Sequence, residues 1–381
     1  MENNALSVQL LDNHQEASRH DSLSARIDLG RKAEKMLRSK RVHVTFEGVY
    51  SNPVSYGYNF LLDDSAATLK RVRNRRCELE EVFGSKDLRI FQFKNKVLIE
   101  VPTDERTFPS LKDMLSFNAM DQSIPLILGE GENGKIFIED VENVENLLVG
   151  GSDKEEVLSF ADVFLTTLLY RRSEKNVKVV LIGKAFERFQ GIPHLKGHVV
   201  SDKDDIVRTL LELRSEMHER IDRSYSASVG SWDRYNKLLG DNAYPDIILL
   251  IDKLGRAIDE IGPVVTQFLS DMALKGRYAG IYTIGFVNTS RLIEFPIKLP
   301  NIMHRIAFHT NTKEESILLL GQEGAEVLQG EGDMLISGFS SADRRIQMPL
   351  MTKAELDRVL THIKNNSVYG VWESDDEYIN L

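Results

Sequence analysis

From Asp121 onwards, compact apolar runs alternate with longer stretches of helical spacing. The runs are NLLVGG, VKVVLIG, DIILLID, GIYTIGF and HRIAFH; between them lie EEVLSFADVFLTTLLYRRS, DKDDIVRTLLELRSEMHERIDRSYS and IGPVVTQFLSDMALKGRYA. A run that is apolar at every position is a strand buried on both faces, and parallel strands need helical crossovers between them. The pattern therefore predicts an α/β domain with a doubly wound, mostly parallel sheet, and ligands at the carboxyl ends of its strands. Just before the first run, IPLILGEGENGKIFIED reads as a hairpin turning at Glu-Asn-Gly.

The chain ahead of this unit has a different rhythm. VHVTFEGVYSNPVSYGYNFLL alternates in strand fashion around Asn52-Pro53. SAATLKRVRNRRCELEEVFG predicts one helix closed by Gly84, and LRIFQFKNKVLIEVP predicts paired strands around Lys94-Asn95. The expected division is a polar, partly helical or disordered segment over 1–40, a small α+β domain over 41–117, the α/β domain over 118–365, and an acidic tail over 366–381.

Composition narrows the function classes. The chain has 381 residues, 42% hydrophobic and 28% charged, with a net charge of −10. Nucleic-acid binding would therefore need a local basic patch rather than a global field. The densest basic run is LKRVRNRRCELEE, holding Lys70, Arg71, Arg73, Arg75 and Arg76. It is either a solvated helix face balanced by the following glutamates or a phosphate-contacting arm. The single cysteine, Cys77, excludes an internal disulfide, and no metal-ligand cluster stands out. No apolar run is long enough to span a bilayer and no leader pattern opens the chain, so a cytoplasmic protein is the expectation.

LLVGGSDKEEVLSF has the strand–turn–helix setting of a phosphate loop, G-x-x-x-x-G-K-[ST]. Counted from Gly151, the second glycine is replaced by Glu156, the lysine by Val157 and the hydroxyl residue by Leu158. Glu155 adds a further carboxylate. Lysine and hydroxyl hold the β/γ-phosphates and Mg²⁺, so neither ATP nor Mg²⁺ is expected in the usual pose. Lys154 lies three positions early and would substitute only if the turn were remodelled.

These segments, in this order, resemble the motor region of the FtsK/SpoIIIE DNA translocases from about Arg41 to Asn365. GIPHL (Gly191 to Leu195), PDIILLID, RYAGIYTIGFVNTS and GQEGAEVLQGEGDMLI all have counterparts there. The resemblance implies a RecA-like P-loop NTPase fold preceded by a small α+β domain, hexameric ring formation and movement of double-stranded DNA. It also implies a Walker B aspartate at Asp252, followed by a glutamate base that here is Lys253. The family's γ-phosphate-sensing glutamine corresponds to Asn288, and its D-P-K segment keeps only Lys184. Arg277 matches an arginine suited to reach a neighbouring subunit's nucleotide, or it is a helix-end arginine of structural use only. His194 is expected in a turn.

The replacements suggest an ion pair of Lys253 with Glu155 or Glu156 in the space of Mg²⁺ and phosphate; the bland alternative is that all three point into solvent. DNA-contact candidates are Lys184, Arg188 and Lys196, with Arg71, Arg73, Arg75 and Arg76. Three functions stay open: a non-hydrolysing pseudo-ATPase acting as a DNA-associated ring or scaffold subunit with an FtsK-like paralogue; an active translocase with an unorthodox site; or an adaptor that binds neither ATP nor DNA. A soluble motor core, without a membrane-spanning start or a winged-helix end, is the expected form.

Overall fold

The structure, a computed structural model, describes residues 6–12, 23–63, 68–116, 123–229, 231–290, 302–339 and 344–366. The acidic tail expected from 366 lies outside these residues beyond Asn366, as does much of the polar segment before residue 23. No described helix is long and apolar enough to cross a membrane.

Two sheets organise the chain. The first is antiparallel and four-stranded, β1 (Val44–Asn52), β2 (Ser55–Leu62), β3 (Arg89–Phe93) and β4 (Lys96–Pro102), in the order β1-β2-β4-β3. Asn52 closes the first hairpin: its Oδ1 accepts from the N–H groups of Val54 and Ser55 and from the Ser55 hydroxyl. The helix Leu23–Ser39 packs on this sheet, its Ala33 and Leu37 sharing one core with Tyr58 and Phe60 of β2 and with Leu79 of the helical segment after β2. The predicted single helix after β2 is instead two, Leu69–Arg73 and Arg76–Phe83. Like charges four apart, as Arg71 and Arg75 would be, oppose helix continuity there. Gly84 ends the second helix in the left-handed conformation, φ 69°, as its sequence position predicts.

The second sheet has nine strands. They are β5 (Pro125–Glu130), β6 (Ile136–Asp140), β7 (Asn146–Gly151), β8 (Val177–Ile182), β9 (Asp246–Ile251), β10 (Ile281–Asn288), β11 (His304–Ala307), β12 (Asp333–Ser337) and β13 (Arg344–Gln347). The order is β6-β5-β13-β12-β11-β7-β10-β9-β8. The run from β11 to β8 is parallel, and β12, β13 and the β5–β6 hairpin continue it antiparallel. This is the α/β fold of RecA-like P-loop NTPases, with an antiparallel extension that the apolar runs alone did not announce.

Alternate residues of β7 feed opposite faces. Leu147 and Val149 join a core with Phe160, Phe164 and Phe286, while Leu148 joins one with Leu213, Met217 and Phe268. The helix Lys154–Arg171 is buried from Phe160 to Tyr170 and mostly apolar around its circumference, as suits a helix enclosed by its neighbours, with Asp162 paired to Arg188. The two sheets meet at a buried ionic junction. Arg345 pairs with Asp333 at 2.6 Å and with Glu100 at 3.7 Å, and Glu100 also holds Arg89 at 3.1 Å.

Candidate functional site: the carboxyl edge of the parallel strands

The register brings the predicted site residues to one edge. Asn288 is opposite Gly151 in the β10–β7 pair, and Asp252 follows Ile251, which pairs with Gly285 of β10. β10 thus sits between the phosphate-loop strand and the Walker B strand. Arg277 lies before β10, at the amino end of the same strands, where its guanidinium holds Glu145 at 2.9 Å and donates to the Tyr278 hydroxyl at 2.6 Å. A strand the length of β10 spans about 26 Å, so Arg277 is beyond reach of this chain's own site.

The turn after β7 is not a phosphate loop with altered side chains; it is a different turn. β7 ends at Gly151 and the helix begins at Lys154, so the positions counted as loop and hook, Lys154 to Leu158, are all helical. Asp153 caps the helix, its carboxylate accepting from the N–H groups of Glu155 at 2.7 Å and Glu156 at 3.1 Å. Orphan N–H groups at a helix start are the donors that a phosphate would take. Here the chain supplies its own anion.

The rest of the turn is also committed. The Ser152 N–H donates to the His309 carbonyl at 2.8 Å, and its hydroxyl donates to the same oxygen at 3.0 Å. Asn288 donates from Nδ2 to the Ser152 carbonyl at 3.1 Å and accepts from the Ser290 N–H at 3.1 Å. The residue at the γ-phosphate-sensing place therefore braces the turn. Gly151 sits in a tight place: a Cβ there would be 3.0 Å from Phe308 and Val157 side-chain atoms, which would have to shift to admit it. Val157 and Leu158 are buried core residues, 3% and 8% exposed, rather than site residues.

The expected ion pair of Lys253 with the two glutamates does not form. Glu155 pairs with Lys353 at 2.6 Å in full solvent exposure. Glu156 turns to the segment before β12, where it accepts the Gly332 N–H at 3.0 Å; burial, reinforced by Asp333 and Asp153, pushes its carboxyl up to about 7. Lys253 is exposed, in the left-handed conformation with φ 53°. The helix start draws the glutamates away from it, and this tertiary placement has no trace in the local spacing. Asp252 is 9% exposed, and burial raises its pKa against the opposing pull first of Lys154 and then of Lys253. Lys154 therefore acts on Asp252 because the turn is remodelled.

The residues at this edge do not fit a nucleotide with Mg²⁺ in the P-loop pose. The Glu155 and Glu156 N–H groups are occupied by Asp153, Val157 and Leu158 offer no cation or hydroxyl, and Lys253 cannot serve as a carboxylate base.

The basic candidates divide into engaged and open. Arg188 pairs with Asp162 and Lys196 with Glu216. Arg73 donates to the Ile90 carbonyl and meets Glu323, Arg75 meets Glu78, and Arg76 meets Glu80. Arg71 and Lys184 are exposed. His194 is buried, its Nε2 against the Arg172 carbonyl at 2.8 Å, and burial lowers its pKa. The decisive residue that motif counting missed is Asp153. An Asp-x-x-Glu pattern opening an apolar helix is a capping signature, and it was open to view.

Comparison with known proteins gives one consistent answer. The FtsK/SpoIIIE family profile matches residues 111–325. The DNA translocase FtsK of Campylobacter jejuni is 28% identical over 334 residues, 83% of this chain and 35% of that protein. That of Oceanobacillus iheyensis is 27% identical over 354 residues, 87% of this chain and 45% of its own length. The chain thus spans less than half the length of these curated relatives. Among solved structures, the pCW3 conjugation coupling protein TcpA aligns with TM-score 0.56 at 14% identity, covering 88% of this chain and 99% of that one. EssC of Geobacillus thermodenitrificans aligns with TM-score 0.54 at 18% identity, covering 64% and 48%. With the profile covering more than half of its residues and the strand order placing β10 between the two motif strands, this chain belongs to the FtsK/SpoIIIE family.

Proposed function

We propose that this chain is a non-hydrolysing member of the family, a pseudo-ATPase that acts as a DNA-associated ring or scaffold subunit. The observation that carries the reading is the helix start: Asp153 fills the anion position that a triphosphate would need. Lys253 in place of the base, and Asn288 bonded within the turn, support it. Relatives named as DNA translocases support DNA as the partner. Arg277, exposed at the opposite edge of the sheet, suits a role in trans, completing a site on an intact paralogue in a shared ring.

Phosphate release from Mg-ATP, with and without duplex DNA, tests the reading. The expected result is no release above buffer for the wild-type chain and no change on Asp252→Asn. Release that disappears with that substitution overturns the proposal. Duplex binding that weakens steeply as salt rises supports the DNA-associated role; its absence would favour an adaptor without DNA.

One observation favours a second reading, an active translocase with an unorthodox site. Lys154, the first residue of the helix, acts on the Asp252 carboxyl and stands near where the hook lysine is needed. Under that reading Lys154→Ala abolishes phosphate release; under the first there is none to abolish.

A further inference from the structure

A second recess at the same sheet edge shares Asp252 and Lys253 with the site described above but none of the Ser152 turn or the capped helix start. It opens at the carboxyl ends of β8 and β9, beyond β10 from the Ser152 turn, with a volume of about 300 Å³. Three lysines line it from three separate elements. Lys184 opens the short 3₁₀ helix Lys184–Phe189, Lys203 opens the helix Lys203–Ser226, and Lys253 joins β9 to the helix Leu254–Ile261. Ile182, Ile206 and Ile261 supply its apolar surface.

Charge is what sets this recess apart. Neighbouring basic residues are neutralised inside the chain: Arg188 by Asp162, Lys196 by Glu216, Arg214 by Asp271, and Arg256 of the recess itself by Glu260. None of Lys184, Lys203 and Lys253 forms an ion pair with a described residue, and Asp252 is the one remaining carboxylate in the lining. Three ammonium groups around one concavity repel each other, and a multiply charged anion relieves that repulsion. In a chain of net charge −10, such a local excess is the feature that selects a ligand.

Backbone strain marks the same place. Lys253 adopts φ 53° and ψ 45°, a conformation that costs a residue with a Cβ and that persists where the surroundings impose it, ligand sites among them. The volume lies at the small end of the range for small-molecule sites, about 300–1,000 Å³. A concavity of that size admits a chain of linked phosphates but not the rigid backbone of a duplex.

We propose that this recess binds a linear oligophosphate, free or as the tail of a nucleotide, with Lys184, Lys203 and Lys253 as its charge partners. The ligand lies at β8 and β9, not at the capped helix after β7, so the site stands whether or not the chain hydrolyses ATP.

Calorimetric titration of the full chain at low ionic strength tests this, using tripolyphosphate and, separately, ATP without a divalent metal. Saturable binding of one equivalent is expected. The double variant Lys184→Ala/Lys203→Ala and the single variant Lys253→Ala are each expected to weaken it about tenfold or more, equivalent to about 1.4 kcal/mol. Lys86→Ala, an exposed lysine of the small sheet's helix-to-strand turn, is expected to change nothing. Equal affinities for the two probes assign the site to phosphates alone, and tighter ATP assigns it to a nucleotide. The substituted lysines are exposed, and a thermal melt of each variant verifies folding. Absence of saturable binding, or binding unchanged in the variants, overturns the proposal. So does a loss of short-duplex affinity in the variants with tripolyphosphate unaffected, which would make the recess a nucleic-acid contact. Failure here leaves the hydrolysis reading intact, because that is judged by phosphate release.

Discussion

Replacing Glu156 with glutamine is expected to stabilise the chain in mild alkali and leave it nearly unchanged in mild acid. Burial is the largest influence on this carboxyl, with Asp333 and Asp153 acting in the same direction and the Gly332 N–H and Arg106 opposing them; together they raise it from 4.5 to about 7. The folded chain thus holds this proton more tightly than the unfolded chain. The contribution to stability is complete below 4.5 and is lost as pH rises through about 7. The rise from 4.5 to about 7 corresponds to about 3 kcal/mol at full ionisation, at about 1.4 kcal/mol for each pH unit. The side chain is partly open to solvent, so about half of this, roughly 1.5 kcal/mol, is the expected penalty near pH 8, and less than about 0.5 kcal/mol near pH 5. Glutamine keeps an oxygen to accept from Gly332 and carries no charge. Urea unfolding of both proteins at the two pH values measures the difference. Asp162 and Asp246, also raised to about 7 by burial, titrate alike in both proteins and cancel. A stability gap that is the same at both pH values, or a variant weaker near pH 8, would mean that Glu156 is a stabilised carboxylate and would refute the reasoning.

Other substitutions separate the structural contributions. Asp153→Ala removes the cap and is expected to cost about 1 kcal/mol by urea unfolding, with no phosphate release gained. Lys253→Met is expected to alter stability by less than about 0.5 kcal/mol; a loss of several kcal/mol would revive the internal ion pair that the structure lacks. Arg345→Ala leaves Asp333 buried without its ion-pair partner, while Glu100 keeps Arg89, so a loss of about 3–5 kcal/mol is expected, read as a lower unfolding midpoint. Val157→Lys, restoring the motif lysine, is expected to cost about 3 kcal/mol or more, because that position lies in the core; a variant as stable as wild type would show that the helix start can retreat.

Much of the fold was legible in local pattern. The strands β7 to β11 follow from apolar runs, the β5–β6 turn from Glu-Asn-Gly, and the end of the helix Arg76–Phe83 from Gly84. β12 and β13 were not, because their short segments carry Asp333, Arg344 and Arg345, charges that argue against burial until Asp333 and Arg345 are seen to satisfy each other across the β12–β13 pair. At the site, the losses at 156, 157, 158 and 253 were visible as letters. Where the glutamates go was not: Glu156 finds its partner at Gly332 and Glu155 finds Lys353, contacts across most of the domain's sequence. Motif counting also fixed attention on absent residues, so Asp153 and the recess lysine Lys203 passed without comment.

Loss of hydrolysis, as proposed, is then a property of packing as much as of side-chain identity. A phosphate loop stays open because glycine tolerates what other residues do not, and its N–H groups await an anion. Here β7 passes into the helix after only Ser152 and Asp153, and the residues counted as hook and hydroxyl sit among Phe160, Phe164 and Phe308. Restoring lysine and serine by substitution would place a cation and a hydroxyl in that core, unless the first helical turn unwound and gave up the Asp153 cap. Each stabilising contact at this edge therefore holds the turn shut, and reversal would need several changes at once. Arg277 is under no such constraint. Bonded to Glu145 and Tyr278 on an exposed surface, it can be substituted without disturbing the closed turn, so Arg277→Ala separates its contribution from that of the turn.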